Sequence, residues 1–251
     1  MHTLSWLGVL AIVGAGAFAG MINAVVGSGS LVTFPTLVGL GFSPLVANVS
    51  NNVGIVFGNL SGVHGYRREL VGQRERMRSL MPFPLVGGLA GAGLLLWHPK
   101  SFHSVVPWLV LLAVAMVIVQ PRLARFLATR GPRGHTGGVG LRVGLFLTGI
   151  YGGYFGAAQG VILIALLSIS LDEGMQRANA LKNVAALFAN LAAGILFIAF
   201  APVNWTVVAL IAVSSVLGAQ LGAHIGRRLP APVLRGVIVV GGVAVAIHLL
   251  V

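Results

Sequence analysis

"GMINAVVGSGSLVTFPTL", residues 20 to 37, is apolar enough to sit in a membrane, yet Gly27, Ser28, Gly29 and Ser30 interrupt it where a spanning helix should be continuous. Glycine and serine at the centre of a helix weaken it. In lipid, a broken helix also leaves backbone groups without partners, at several kcal/mol each. The reading of the fold turns on whether this break is a flaw or a device.

The rest of the chain sets the solvent. Of 251 residues, 57% are hydrophobic and 8% charged, with a mean hydropathy of +0.97. A soluble domain of this size has no interior large enough for that much apolar side chain, so the surroundings are lipid. The 36 glycines fall largely within apolar runs, where they permit close helix packing or backbone breaks. There is no cysteine, hence no disulfide framework and no thiol chemistry. Sixteen Lys and Arg against four Asp and Glu leave a net charge of +12. Such an excess can mark a nucleic-acid binder. Here the arginines cluster between apolar spans, as cytoplasmic loops require, and no nucleic-acid partner is expected. The start, "MHTLSWLGVLAIVGAGAFAG", has a cleavage-like "AFA" but no basic region before its apolar run. It is read as a retained segment.

The break has a counterpart. In "GIYGGYFGAAQGVILIAL", residues 149 to 166, Gly149 answers Gly20 and Gly156 answers Gly27. Further on, "NVSNNVGIVFGNL" (48–60) matches "NALKNVAALFANL" (179–191), with Asn48, Asn52 and Asn59 falling on Asn179, Asn183 and Asn190. The chain therefore reads as two related halves, 1–121 and 142–251, joined by a basic cytoplasmic linker at 122–141. Each half opens with an apolar hairpin broken at Gly27–Ser30 or at Gly156–Gly160, with a short second arm near 31–41 or 161–171. Three full-length helices follow in each, near 46–65, 82–98 and 104–121, and near 177–201, 204–226 and 232–251. The predicted fold class is an all-α integral membrane protein built of two inverted repeats.

Charge predicts the orientation. Arg67, Arg68, Arg74, Arg76 and Arg78 fill one loop; Arg122, Arg125, Arg130 and Arg133 fill the linker; Arg227, Arg228 and Arg235 flank the last turn. All three land inside if each hairpin re-enters or crosses twice, which gives the halves opposite orientations and an external N-terminus.

The breaks and asparagines are the candidate site. A half-helix starting within the membrane points N–H groups and the positive end of its dipole into a cavity. Two such starts, after Gly27 and after Gly156, would make an anion-binding centre, with Ser28, Gly29 and Ser30 on one side and Gln159 on the other. Glycines that only pack helices are the plainer reading of one such run; two in register favour functional breaks. Spacings of four and seven place Asn48, Asn52 and Asn59 within about 40° on one helix face, as they do Asn179, Asn183 and Asn190. The first two of each set either line a path or act as interhelical glue; Asn59 and Asn190 read as structural. Lys182 takes the place of Asn51, and it faces either the cavity or the inner surface by snorkelling. Asp172 and Glu173 read as solvated or first-turn dipole partners, and His64, His224 and His248 lie near helix ends. No metalloprotease motif, paired carboxylates or nucleophile elbow is present, so no enzyme activity, cofactor or metal is expected.

The Gly-rich hairpin, repeated, and the Asn-bearing "ANVSNNVGIVFGNLSG" resemble the TauE/SafE family of membrane permeases, exporters of sulfite and organosulfur anions. The likeness spans essentially the whole chain, and Gly152 and Gly153 are similar to a Gly-Gly pair early in the family's second hairpin. It implies a multi-pass plasma-membrane protein that moves a small sulfur-containing anion, often outward. The expected partners are that anion and the lipid bilayer, with homo-oligomerisation left open. An anion leaving a negative-inside cell gains about 2.3 kcal/mol per charge per 100 mV, so export needs no coupling ion. Import of a sulfur or carboxylate anion, a channel and a non-transporting scaffold are the other readings.

Overall fold

The computed structural model describes residues 4–128, 138–225 and 231–250. Its helices are α1 (Trp6–Val25), α2 (Ser30–Gly39), α3 (Pro44–Gly65), α4 (Arg74–Leu80), α5 (Pro82–Trp97), α6 (Pro99–Ala128), α7 (Gly138–Tyr154), α8 (Gln159–Ser170), α9 (Met175–Phe200), α10 (Trp205–Ile225) and α11 (Ala231–Leu250). No strand occurs among the described residues. Two broken hairpins and six long helices stand where the sequence places them. Helix α4 is the addition: the arginine loop is helical from Arg74 and runs through Met81 into α5. The linker is also shorter than the composition suggests, because α6 continues to Ala128 and α7 begins at Gly138. Arg130 and Arg133, and likewise Arg227 and Arg228, lie outside the described residues.

Local chemistry sets several helix starts. The Ser5 hydroxyl accepts the Gly8 N–H at α1, and at α3 Ser43 accepts the Val46 N–H while Pro44 takes the first turn. Polarity is distributed inside out. Trp6, Leu7, Trp97, Phe200, Leu217 and Val240 are exposed, while Asn48, Asn51, Asn52, Ser28, Gln159 and Lys182 are buried. That arrangement is stable only when lipid surrounds the bundle. Among the described residues five helical segments are long and apolar enough to cross a membrane, including Arg74–Trp97 taken as one.

The halves interlock. Helix α1 packs on α10, and α7 packs on α5; α3 lies against α10 and α9 against α5; α3 and α9 cross each other. Glycines make these approaches close. A methyl group added at Gly20 would strike the Ser215 carbonyl, at Gly218 that of Ala17, at Gly91 that of Ile150 and at Gly153 that of Gly88. In lipid, where no hydrophobic force draws helices together, such backbone-to-backbone packing supplies the association energy.

Contacts also order the two ends. Arg142, in the first turns of α7, reaches Ser79 on α4; Glu173, after α8, pairs with Arg76; Gly65, ending α3, faces Ala223 near the end of α10. The stretches adjoining all three basic segments thus share one end. At the other, Leu40 after α2 touches Gly8 in α1, and the Asn204 N–H before α10 donates to Ser50. Trp6, Trp97 and Trp205 are exposed at this second end, as residues of an interfacial aromatic belt are. The α1–α2 hairpin opens toward the tryptophan end and the α7–α8 hairpin toward the arginine end.

Candidate functional site

Both breaks turn through left-handed backbone. Gly27 has φ +86° and Gly156 φ +76°, conformations that glycine adopts without a Cβ penalty. Ala158, φ 58°, takes the same region just before α8. The two turns meet. The Gly160 N–H donates to the Gly27 carbonyl at 3.0 Å, and a Cβ at either glycine would overlap the other's Cα. A single atom more on either side would push the hairpins apart.

Around this contact lies a small polar centre. Six of the expected residues line it: Gly27, Ser30, Gly156, Gln159, Lys182 and Asn183. Asn23, Asn59 and Asn190 complete its polar wall. Ser28, Gly29, Asn48, Asn52 and Asn179 are buried nearby but do not line it. The cavity measures about 10 Å³, room for roughly one water. A hydrated oxyanion does not fit.

The asparagines divide by partner. Asn48 donates to the Tyr154 carbonyl at 3.0 Å and Asn179 to the Ala24 carbonyl at 3.1 Å. Each therefore satisfies a carbonyl in the last turn of the other half's first helix, groups that a broken helix leaves orphaned in lipid. Asn183 joins at Ala24, 3.3 Å. Asn52 donates to Asn190 at 3.4 Å, linking α3 to α9. Asn23 donates to Asn59 at 2.8 Å and accepts the Gly29 N–H at 3.1 Å. The Gln159 amide reaches the Thr148 carbonyl at 3.4 Å.

Lys182 is fully buried and does not snorkel. Its Nζ donates to the carbonyls of Asn23 at 3.0 Å and Ala24 at 3.5 Å, at the end of α1, where the helix dipole is negative. An ammonium has three donors, and two are used in this way. The chain has only four acidic residues. Glu69, Glu75, Asp172 and Glu173 all lie at the arginine end, in or beside the α3–α4 and α8–α9 loops. No carboxylate reaches Lys182.

Three expectations change. The N–H groups thought to face a substrate are partly spent: Gly160 bonds Gly27 across the break, and Gly29 bonds Asn23. Asn59 and Asn190 make the interhelical bonds of structural residues and in addition face the centre, because the end of α1 lies against α3 at the level of Asn59. The Asn59 amide nitrogen is buried without a partner, a donor on the cavity wall. Glu173 is not a solvated carboxylate. Arg76 bonds it, and Arg177 holds it through Nε at 2.5 Å. Asp172 is exposed, as are His64 and His224 at helix ends, whereas the His248 side chain lies outside the described residues. Asn23 was missed, although it stands one turn before the break in the first stretch quoted; its signal was a lone amide within an apolar run.

Residues 12–249 match the family model described as sulfite exporter TauE/SafE. The chain is a membrane transporter of the TauE/SafE family. It is 26% identical to probable membrane transporter protein ORF9 of Sinorhizobium sp, over 99% of this chain and 93% of that one. It is 28% identical to a probable membrane transporter protein of Haemophilus influenzae, over 90% and 88%. The probable membrane transporter protein YfcA of Escherichia coli K12 is also 28% identical, over 91% and 85%. No solved structure matches. Both helix breaks and both Asn helices of this TauE/SafE transporter lie within the matched span.

Proposed function

We propose that this transporter exports a small sulfur-containing anion, such as sulfite or an organosulfonate, across the cell membrane by alternating access. The observation that carries the reading is Lys182: a buried cation at the meeting point of two helix breaks, with no carboxylate to neutralise it. An intramembrane charge held by carbonyls but given no counter-charge marks a site for a charged solute. Its third donor, the Asn59 amide and the Ser30 hydroxyl supply hydrogen bonds to oxyanion oxygens. The two halves act as an inverted repeat, each hairpin in turn leaving the Gly27–Gly160 contact to open one side. The membrane potential drives the anion outward.

Purified protein in liposomes, with the potential clamped by a potassium gradient and valinomycin, tests this. Sulfite or methanesulfonate efflux is expected to saturate with substrate and to accelerate as the lumen is made negative. Absence of flux for every sulfur oxyanion overturns the proposal. Uptake that proceeds only with a cation gradient converts it to import.

A further inference from the structure

At the arginine end, away from the central cavity, a cleft of about 540 Å³ opens between α4, the start of α7 and the loop before α9. Its walls include Arg76, Arg142 and Arg177, the Ser79 hydroxyl, and the carboxylates of Glu75 and Glu173. Three guanidiniums against two carboxylates leave the wall positive. Glu173 is committed to Arg76 and Arg177. Arg142 has no carboxylate. One Nη reaches the Ser79 oxygen at the long distance of 3.5 Å, its guanidinium stands 6.0 Å over the Phe83 ring, and its Nε is buried with no hydrogen-bond partner. An orphaned buried donor on a charged group is costly, and a bound oxyanion or an ordered water would satisfy it.

We infer that this cleft is a second oxyanion-binding site, with Arg142 as its primary ligand and Ser79 beside it. A guanidinium presents its Nε–H and an adjacent Nη–H as a parallel pair, the geometry that two oxygens of one sulfonate, phosphate or carboxylate accept. The ring of Phe83 fixes the plane of that pair. The bound group shares the cleft with Arg76 and Arg177, so it would compete with Glu173 for them and loosen the ion pair that ties α4 of the first half to the α8–α9 loop of the second. The shared chemistry is a compact oxyanion; it comes either from solution, as a loading step for transport, or from a lipid headgroup. The site does not depend on the reading of Lys182.

The experiment is calorimetric titration of sulfite into the purified full chain in neutral detergent, using wild type, Arg142→Gln, Arg142→Lys, Ser79→Ala and Lys182→Gln. The expected result is that Arg142→Gln removes one binding step or weakens it about tenfold or more. Arg142→Lys and Ser79→Ala weaken that step less, and Lys182→Gln leaves it in place. Should Arg142→Gln elute as aggregate, Arg142→Lys and Ser79→Ala still decide, since an absent site predicts wild-type titration for both. Wild-type titration in all the Arg142 and Ser79 variants overturns the proposal, as does a single step abolished by Lys182→Gln alone. A step lost in Arg142→Gln and intact in Lys182→Gln upholds this site even if the central site binds nothing. Repeating the titration in nanodiscs of phosphatidylcholine and of phosphatidylglycerol assigns the source. Sulfite displaced by phosphatidylglycerol in wild type points to a lipid headgroup, and equal binding in both points to a solution anion.

Discussion

Helices α3 and α9 carry the same asparagine frame and differ in charge at one position within it, Asn51 against Lys182. Asn48 and Asn179 perform the same task, each closing the end of the opposite half's first helix. One turn on, the halves part. Asn51 accepts the Thr33 hydroxyl, a contact within its own half, whereas Lys182 in the matching place crosses to the Asn23 and Ala24 carbonyls of the other half. The pair used alike, Asn48 and Asn179, supports broken helices in lipid, a need that any two-fold version of this bundle has twice. The differing position carries charge, which the proposed single anion at one centre would need only once. Two lysines facing each other would repel, at a cost that a low-dielectric interior magnifies.

Exchanging the two residues is the strongest way to break this comparison. Lys182→Gln is expected to lower sulfite flux by about tenfold or more, the loss of one charge-assisted hydrogen bond of roughly 1.5–3 kcal/mol. Thermal stability falls little or rises, because removing an uncompensated buried charge relieves desolvation. The double exchange, Asn51→Lys with Lys182→Asn, is expected not to restore flux, since position 51 faces Thr33 and does not line the cavity. Flux measured in liposomes, with unfolding followed in the same samples, checks both. Full restoration would show the centre to be symmetric and the comparison mistaken.

How much of this was legible in sequence follows from what local patterns encode. The breaks were legible because glycine in an apolar run departs from the expectation for a spanning helix, and the Asn frames because helical spacing is local. The interlocking of halves was not. Gly20 meets Ser215 and Gly91 meets Ile150, pairings between distant segments that no periodicity specifies. Depth was misjudged for the same reason. Asn59 and Asn190 read as structural alone until the end of α1, bringing Asn23, sets the level of the centre. Glu173 read as solvated or as a first-turn dipole partner because its partner Arg76 lies on α4, far off in the other half. Helix α4 went unread because its arginines signalled a loop, although arginine is a good helix former.

The glycine contact between the breaks gives the next test, which separates crowding from backbone strain. Gly160→Ala forces a Cβ onto Gly27, and is expected to cost about 1–3 kcal/mol, the range for overpacking. Gly27→Ala adds a left-handed penalty of roughly 1–2 kcal/mol to the same collision. Gly41 has φ +87° with nothing near its would-be Cβ, so Gly41→Ala reports strain alone. The expected order of thermal stability is wild type, Gly41→Ala or Gly160→Ala, then Gly27→Ala. Flux is lost in the two variants at the contact and kept at Gly41. If Gly160→Ala proves as active as wild type, the contact between breaks is incidental.

The smallest effect lies where the hairpins leave the bundle. The second hairpin ends at Glu173, clamped by Arg76 and Arg177; the corresponding exit of the first, Gly41–Phe42–Ser43, carries no charge. Burial pushes the Glu173 carboxyl up, but hydrogen bonds and charges from Arg177 and Arg76 outweigh it and hold the group below its ordinary value. A lowered value means stability that is present above the unfolded value, near 4.3, and is lost as pH falls through the folded one. Wild type is therefore expected to keep a constant melting temperature from neutrality to about pH 5, then to decline more steeply than Glu173→Gln in acid. At pH 7 the variant loses only ~0.5–1 kcal/mol, the scale of a partly exposed pair. Parallel acid profiles for the two proteins would mean that the clamp adds nothing to stability, and that the two hairpin exits differ in charge without differing in strength.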